Sequence, residues 1–194
     1  MAFYPEEIDK RFRAPANNGS DEQGARGKSA SFVCGSFVEI LVGIDDDCGS
    51  VEAAKFQTNG CGFMIAAADT LCDWLNGKTL SQLHGLSDEE LMGNITAELG
   101  MFPHDRLHCA GVVFDALHDA MALHRAKRIE EFQGEAALIC TCFGISEESM
   151  VAAISENGFT SVEEVAEACR AGGGCGSCRF LIQELIDMAA GGFS

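Results

Sequence analysis

The sequence predicts an α+β chain in two parts: a small antiparallel sheet packed by helices, followed by a smaller all-α unit built around a metal. Three observations lead there. Residues 31–60 alternate apolar and polar side chains, and the period then changes to that of a helix. A polar segment, Glu130 to Ala137, divides the chain and is followed by three short helical patterns. Ten cysteines occur in 194 residues, four of them as two close pairs in the second part.

Residues 1–30 read as a mobile amino-terminal arm, because APANNGSDEQGARGKSA is polar, rich in Gly, Asn and Ala, and without periodicity. Order is expected to begin near Ser31. The first domain then occupies 31–129. SFVCGSFVEILVGID and SVEAAKFQTNG carry the period-two alternation and the β-branched and aromatic residues of strands, broken by the turn cluster Asp45, Asp46, Asp47. After Gly60, Met64, Ile65, Ala68, Leu71, Cys72 and Leu75 recur at helical spacing until Gly77 stops the run. Ser87 and Glu90 predict a capping box for a short helix. A longer helix starts near His108, its apolar stripe formed by Val112, Val113, Leu117, Ala120 and Met121 and its basic end, His124 to Arg128, suited to a helix C-terminus.

A linker, 130–137, leads to a second domain over 138–190. Helical patterns run from Ser146 to Asn157, from Ser161 (boxed with Glu164) to Cys169, and from Cys178 to Ala190, with Gly158 and Gly172 to Gly174 between them. Three short helices in fewer than sixty residues make a thin core, of the kind that a metal commonly staples.

Composition narrows the function. Thirty acidic against 13 basic residues give a formal net charge of -17, which repels phosphate backbones and anionic membrane surfaces, so neither nucleic acid nor membrane is an expected partner. MAFYPEEIDKRFR has acidic residues where a secretory signal needs a basic region and an apolar run, and a cytoplasmic protein is expected. Cysteines in a reducing compartment serve as metal ligands, reactive thiols or core filler rather than as disulfides.

Cys140 and Cys142 form C-x-C, and Cys175 and Cys178 form C-x-x-C in a glycine-rich loop. Two pairs make one four-thiolate site, with glycines permitting the tight turns that crowd thiolates together. Four-cysteine zinc sites also use paired cysteines, though C-x-x-C knuckles are commoner there than C-x-C, which tips the spacing modestly toward iron–sulfur. Cys169, on the apolar side of a helix, reads as core.

In the first domain, Cys61 precedes one helix in GCG, Cys109 opens another in LHCA, and Cys34 lies at a strand end where Gly35 permits a sharp bend. A helix N-terminus favours the thiolate at Cys61 and Cys109. Pattern alone leaves a converging thiolate site and three unrelated small buried cysteines about equally balanced. Cys72 lies in an apolar helical stripe and reads as core, while Cys48 is left unassigned.

These residues carry a resemblance. CTCFGISEE, the long gap and GGGCGSCRFLIQELI, over about Leu138 to Met188, resemble the bacterioferritin-associated ferredoxin (BFD) type of [2Fe-2S] domain. Over about Ala2 to Arg128 the chain is similar to the IscU and NifU scaffold family: Tyr4, Pro15, Asn17 and Gly19, CG at 34, AKFQTNGCG at 54–62, Gly77-Lys78 and LHCA at 107–110. The domain order matches NifU, without the further carboxy-terminal domain of longer members. The resemblance implies a permanent, redox-active [2Fe-2S] cluster on Cys140, Cys142, Cys175 and Cys178. It implies a transient cluster on Cys34, Cys61 and Cys109, with His108 as an additional ligand or proton handler or, equally, a solvent-facing histidine.

The function so implied is a scaffold, not an enzyme: a cysteine desulfurase supplies sulfur, a cluster forms, and an apo client protein receives it. An electron donor to the permanent cluster is a further implied partner, a homodimer stays open, and nitrogen fixation is one possible context. Two departures matter. Ser36 stands where the family has aspartate, and Phe102, Pro103, His104, Asp105, Arg106 replace the Leu-Pro-Pro-Val-Lys segment read by Hsc-type chaperones. The rival readings are a ferredoxin-like electron-transfer module whose first domain only docks partners, and a zinc-binding regulatory or thiol-redox protein. The remaining histidines, 84, 104, 118 and 124, have no ligand spacing.

Overall fold

The computed structural model describes residues 4–20, 24–45, 49–83, 85–131 and 137–191. The chain divides into two compact units, Met1–His124 and Arg125–Ser194.

In the first unit α1 (Glu6–Arg13) precedes three strands, β1 (Ala25–Ala30), β2 (Phe37–Ile44) and β3 (Val51–Thr58), which form an antiparallel sheet in the order β1-β2-β3. Ala30 pairs with Phe37 and Val38 with Thr58. Val38, Ile40 and Val42 of β2 and Ala54 and Phe56 of β3 are all buried in one core. The period-two alternation of the sequence therefore marks a face that is apolar because it is covered. The cover is α2 (Gly62–Leu75), with α4 (Asp88–Leu99) and α5 (Leu107–Glu131) adding Leu91, Ile95, Val113, Phe114, Ala116 and Ala120 to the same core. A short α3 (Leu80–Leu83) lies between α2 and α4, and a 3₁₀ turn (His104–Arg106) leads into α5. Ser87 caps α4 as expected: its hydroxyl accepts the Glu90 amide at 3.3 Å and the Glu90 carboxylate accepts the Ser87 amide at 2.9 Å. No helix among the described residues is long and apolar enough to cross a membrane.

The amino-terminal region departs from expectation. Residues 25–30 are a strand, hydrogen-bonded along their length to β2, and 6–13 are a helix whose Ile8 is fully buried. Arg11, Asn17 and Gly19 are held by hydrogen bonds rather than loose. Asp69 of α2, only 1% exposed, accepts Arg11 at 2.8 Å and the Asn17 backbone amide at 2.8 Å. Arg11 also pairs with Asp73 and with Glu98 of α4, and the Asn17 side-chain amide donates to Asp73 at 2.7 Å. Asn17 and Gly19 bond the backbone of Phe56 on β3. A buried carboxylate is stable only when paired and hydrogen-bonded, so the network fixes both the acid and the segment that satisfies it. β1 carries Gly27 where α5 crosses it, and a Cβ there would stand 2.1 Å from the Ala116 oxygen and the Ala120 nitrogen.

In the second unit β4 (Leu138–Cys140) and β5 (Ile145–Ser146) form a short hairpin, followed by α6 (Glu147–Asn157), α7 (Val162–Cys169) and α8 (Arg179–Gly191). The hairpin is an addition to the helices expected there. The Ser161/Glu164 capping box forms, Ser146 caps α6, and Gly158 ends it in the left-handed conformation at φ 66°. Met150, Ile154, Val162, Val165, Ile182 and Ile186 make the core together with Cys140 and Cys178. The expected linker begins later than residue 130, since α5 continues to Glu131; residues 132–136 lie outside the described residues.

Candidate metal centres

In the first unit, three elements bring Cys34, Cys61, Cys109 and His108 toward one another. Cys34 lies in the turn joining β1 to β2, closed by the Gly35 amide on the Ser31 carbonyl at 2.9 Å, with Gly35 at φ 71°. The Ser31 hydroxyl accepts the amides of Val33 and Cys34. The Cys34 thiol is exposed and drops to a pKa of about 6 because the hydroxyls of Ser31 and Ser36, the Ser36 amide and His108 all hydrogen-bond to it. Ser36, at the position of the family aspartate, thus stabilises the neighbouring thiolate.

Cys61 is the N-cap of α2, and Cys109 is buried in the first turn of α5. Their sulfurs are 3.6 Å apart, and the Cys109 sulfur is 3.6 Å from His108 Nε2. The two thiols pull apart in pKa: Cys61 is held low against burial, first by the hydrogen bond from Cys109 and then by the Met64 and Phe63 amides and by Arg106. Cys109 is pushed up in turn, first by Cys61 and then by burial.

In the second unit Cys140 ends β4, Cys142 sits in the hairpin turn, Cys175 in the glycine loop, and Cys178 immediately before α8. Their thiols form a chain. Cys140 interacts with Cys142 and with Cys178, and Cys142 with Cys175. Cys142 hydrogen-bonds Cys140 and holds its thiol low, with the Phe143 amide adding to this against burial, while Cys142 is pushed up by Cys140 and by burial. The Cys175 thiol donates to the Ser177 hydroxyl at 3.1 Å. The loop backbone approaches closely: a Cβ on Gly174 would stand 3.0 Å from the Cys142 Cβ and 3.2 Å from its sulfur.

The sulfurs are gathered, but among the described residues no three His, Cys, Asp or Glu side chains are closed on a point that one metal ion could fill. Cys72 is fully buried in the α2 stripe and its thiol is pushed far up by burial; Cys169 is half-buried and donates to the Val165 carbonyl at 3.2 Å. Cys48 and His84 lie outside the described residues. His104 and His118 are exposed, and His118 stands 3.8 Å from Asp88. Sequence reasoning singled out Ser36 but not its hydrogen bond to Cys34, and it missed Ser31 and Arg106 as neighbours of the thiols; a serine three residues before Cys34 was the available signal for Ser31.

Comparison with known proteins falls on the same two regions. Residues 3–131 match the NifU-like N terminal domain, and residues 138–188 match the BFD-like [2Fe-2S] binding domain. The nitrogen fixation protein NifU of Trichormus azollae is 31% identical over 96% of this chain and 64% of its own length. The chain therefore spans a little under two thirds of that relative. The iron-sulfur cluster assembly scaffold protein IscU of Haemophilus influenzae is 30% identical, over 64% of this chain and 98% of that protein. Among solved structures, a putative scaffold for the SUF system from Fervidobacterium islandicum aligns at a TM-score of 0.48 with 19% identity, over 59% of this chain and 93% of that one. With the first match covering more than half of its length, the chain belongs to the family of NifU-like N-terminal domain proteins, here followed by a BFD-like [2Fe-2S] binding domain.

Proposed function

We propose that the chain is a scaffold on which iron–sulfur clusters are assembled and handed to apo proteins, a carrier rather than a catalyst. The observation that carries this reading is the contrast between the two thiol sets. Four cysteines in the second unit supply a complete set of soft ligands, whereas the first unit offers three cysteines and His108 around an exposed turn. A complete set retains its cluster; an incomplete one releases its cargo. Cys34, Cys61 and Cys109 would take iron and sulfur as substrates, the sulfur coming from a cysteine desulfurase, and His108 would ligate or exchange a proton.

The second unit fits a resident [2Fe-2S] group. Four thiols adjoin one another, and the bare backbone at Gly174 leaves space that a side chain would fill. Cys140, Cys142, Cys175 and Cys178 would hold it, and when bound it supplies one-electron chemistry. Amides already directed at the sulfurs of Cys140 and Cys142 would stabilise their charge.

The test is anaerobic purification with metal analysis. About two irons per chain and visible absorption are expected from the second unit alone. Incubation with cysteine, a desulfurase and ferrous iron should add iron that chelators and apo clients remove quickly, and Cys61→Ala should abolish that addition. Stoichiometric zinc without visible absorption overturns the resident cluster; a Cys61→Ala variant that loads and transfers normally overturns the scaffold and favours an electron-transfer module.

A further inference from the structure

The first turn of α2, which follows Cys61, is engaged on each amide from Gly62 to Ile65. The Ile65 amide bonds the Cys61 carbonyl at 3.0 Å, and the Phe63 and Met64 amides point at the Cys61 sulfur. The remaining one, on Gly62, donates to the Tyr4 hydroxyl at 3.1 Å. A helix N-terminus ordinarily leaves such groups to water or to a capping side chain from its own chain segment. Here the partner comes from 58 residues away.

Tyr4 also fills the space above that turn. A Cβ on Gly62 would stand 2.7 Å from the Tyr4 ring carbons Cε2 and Cζ, so the ring lies where any other residue at 62 would place its side chain. Tyr4 is 5.4 Å from Phe12, and it meets Phe63 edge-on at the same 5.4 Å; Phe63 in turn meets Phe102 at 5.3 Å. Phe102 lies just before the 3₁₀ turn that leads to His108 and Cys109. The aromatic strip therefore runs from α1, past the helix start bearing Cys61, to the connection preceding Cys109. At the other end of α1, Arg11 is clamped by Asp69, Asp73 and Glu98.

We propose that Tyr4 is a positioning residue of the amino-terminal thiol site: its hydroxyl on Gly62 and its ring between Phe12 and Phe63 hold the first turn of α2 so that Cys61 faces Cys109, and the carboxylate clamp on Arg11 holds α1, and with it Tyr4, in place. The amino-terminal segment is then part of the site. That its docking governs cargo retention rests on the scaffold reading above; that it sets the thiol geometry does not.

The test uses the full chain free of metal, so its outcome is independent of whether any cluster loads. Two quantities are read: hydrogen exchange of the Gly62 amide, and the rate at which diamide, which takes two electrons and two protons from the pair, joins Cys61 to Cys109 as a disulfide. Alkylation of Cys34 is the internal control. Tyr4→Ala should speed Gly62 exchange about tenfold and slow disulfide closure several-fold, with Cys34 unchanged. Tyr4→Phe, which keeps the ring and protects against a folding failure, should raise exchange two- to threefold. Gly62→Ala should behave like Tyr4→Ala in the parent, yet add nothing in the Tyr4→Ala background, because both act through one contact. Arg11→Met should reproduce a weaker form of the Tyr4→Ala effect. Exchange and disulfide closure within twofold of the parent in Tyr4→Ala, or additive effects of the Tyr4 and Gly62 changes, would overturn the proposal.

Discussion

Cys34 differs from Cys61 and Cys109 in its solvent exposure and in being stabilised by hydroxyls rather than by another thiol. Its thiolate gains the Ser31 and Ser36 hydrogen bonds only in the folded turn, so its pKa is depressed from the ordinary thiol range to about 6. The sign follows directly. The stability that the thiolate and its extra bonds contribute is fully present above the ordinary thiol range and is lost as pH falls through about 6. In metal-free protein, iodoacetamide should therefore label Cys34 with a midpoint near pH 6, well below that of an ordinary cysteine. Ser36→Asp exchanges a donor for a negative charge and should move that midpoint up by a unit or more, as read by pH-dependent peptide mass spectrometry. Ser36→Ala removes the hydroxyl bond alone and should give a smaller rise. A midpoint unmoved by either change would mean that Ser31 and His108 suffice. If the site is a scaffold, Ser36→Asp should also speed cluster transfer, because carboxylate oxygen is the harder and more readily exchanged ligand for a soft centre.

At the scale of the element, two glycines permit approaches that any side chain would block. Gly27 lets β1 lie against the backbone of α5, where a Cβ would meet Ala116 and Ala120 at 2.1 Å. Gly27→Ala should destabilise the first unit by about 2–3 kcal/mol through overpacking against rigid backbone. Trp74 is the sole tryptophan and lies in α2, so its fluorescence in urea reports this unit; an unchanged midpoint would show that α5 can shift away. Gly174→Ala should instead spare Trp74 and lower the iron content of the purified protein by half or more, since its Cβ would crowd Cys142. These elements show what the sequence made legible. The core of α2, the capping boxes at Ser87 and Ser161 and the end of α6 at Gly158 depend on neighbours within a few residues, and local pattern carries them. α1 and β1 do not. Their stability comes from Asp69, from β2 and from α5, so ARGKSA looks like a loop until its partner strand is known. The same holds at the site: the cysteines stand out by motif, whereas the roles of Tyr4, Ser31 and Ser36 depend on where turns and helix starts place their hydroxyls.

For the whole molecule, each thiol set belongs to one unit and shares no residue with the other, so the two sites should be separable. Two of the nine buried apolar residues in the second unit's described core are Cys140 and Cys178, which are also members of its thiol set. Such a core is thin for three short helices, and on the proposed reading metal binding is expected to contribute much of the folding free energy. A fragment of residues 134–194 should then fold around a stable cluster when metallated and lose most of its helical circular dichroism when a chelator strips it. Cys175→Ala in the full chain removes a thiol of the proposed set from the loop rather than from the core, so it should bleach the resting protein by more than half. Trp74 fluorescence and labile iron loading at Cys61 should nonetheless stay at parental levels, because Cys175 belongs to the second unit and Trp74 and Cys61 to the first. Two outcomes would overturn this division of labour. An apo fragment that unfolds cooperatively in urea would show that the seven aliphatic and methionine residues of the core suffice without metal. A Cys175→Ala chain that no longer loads labile iron would show that the resident cluster is needed for assembly on the first unit, which makes the carrier a coupled device rather than two modules in series.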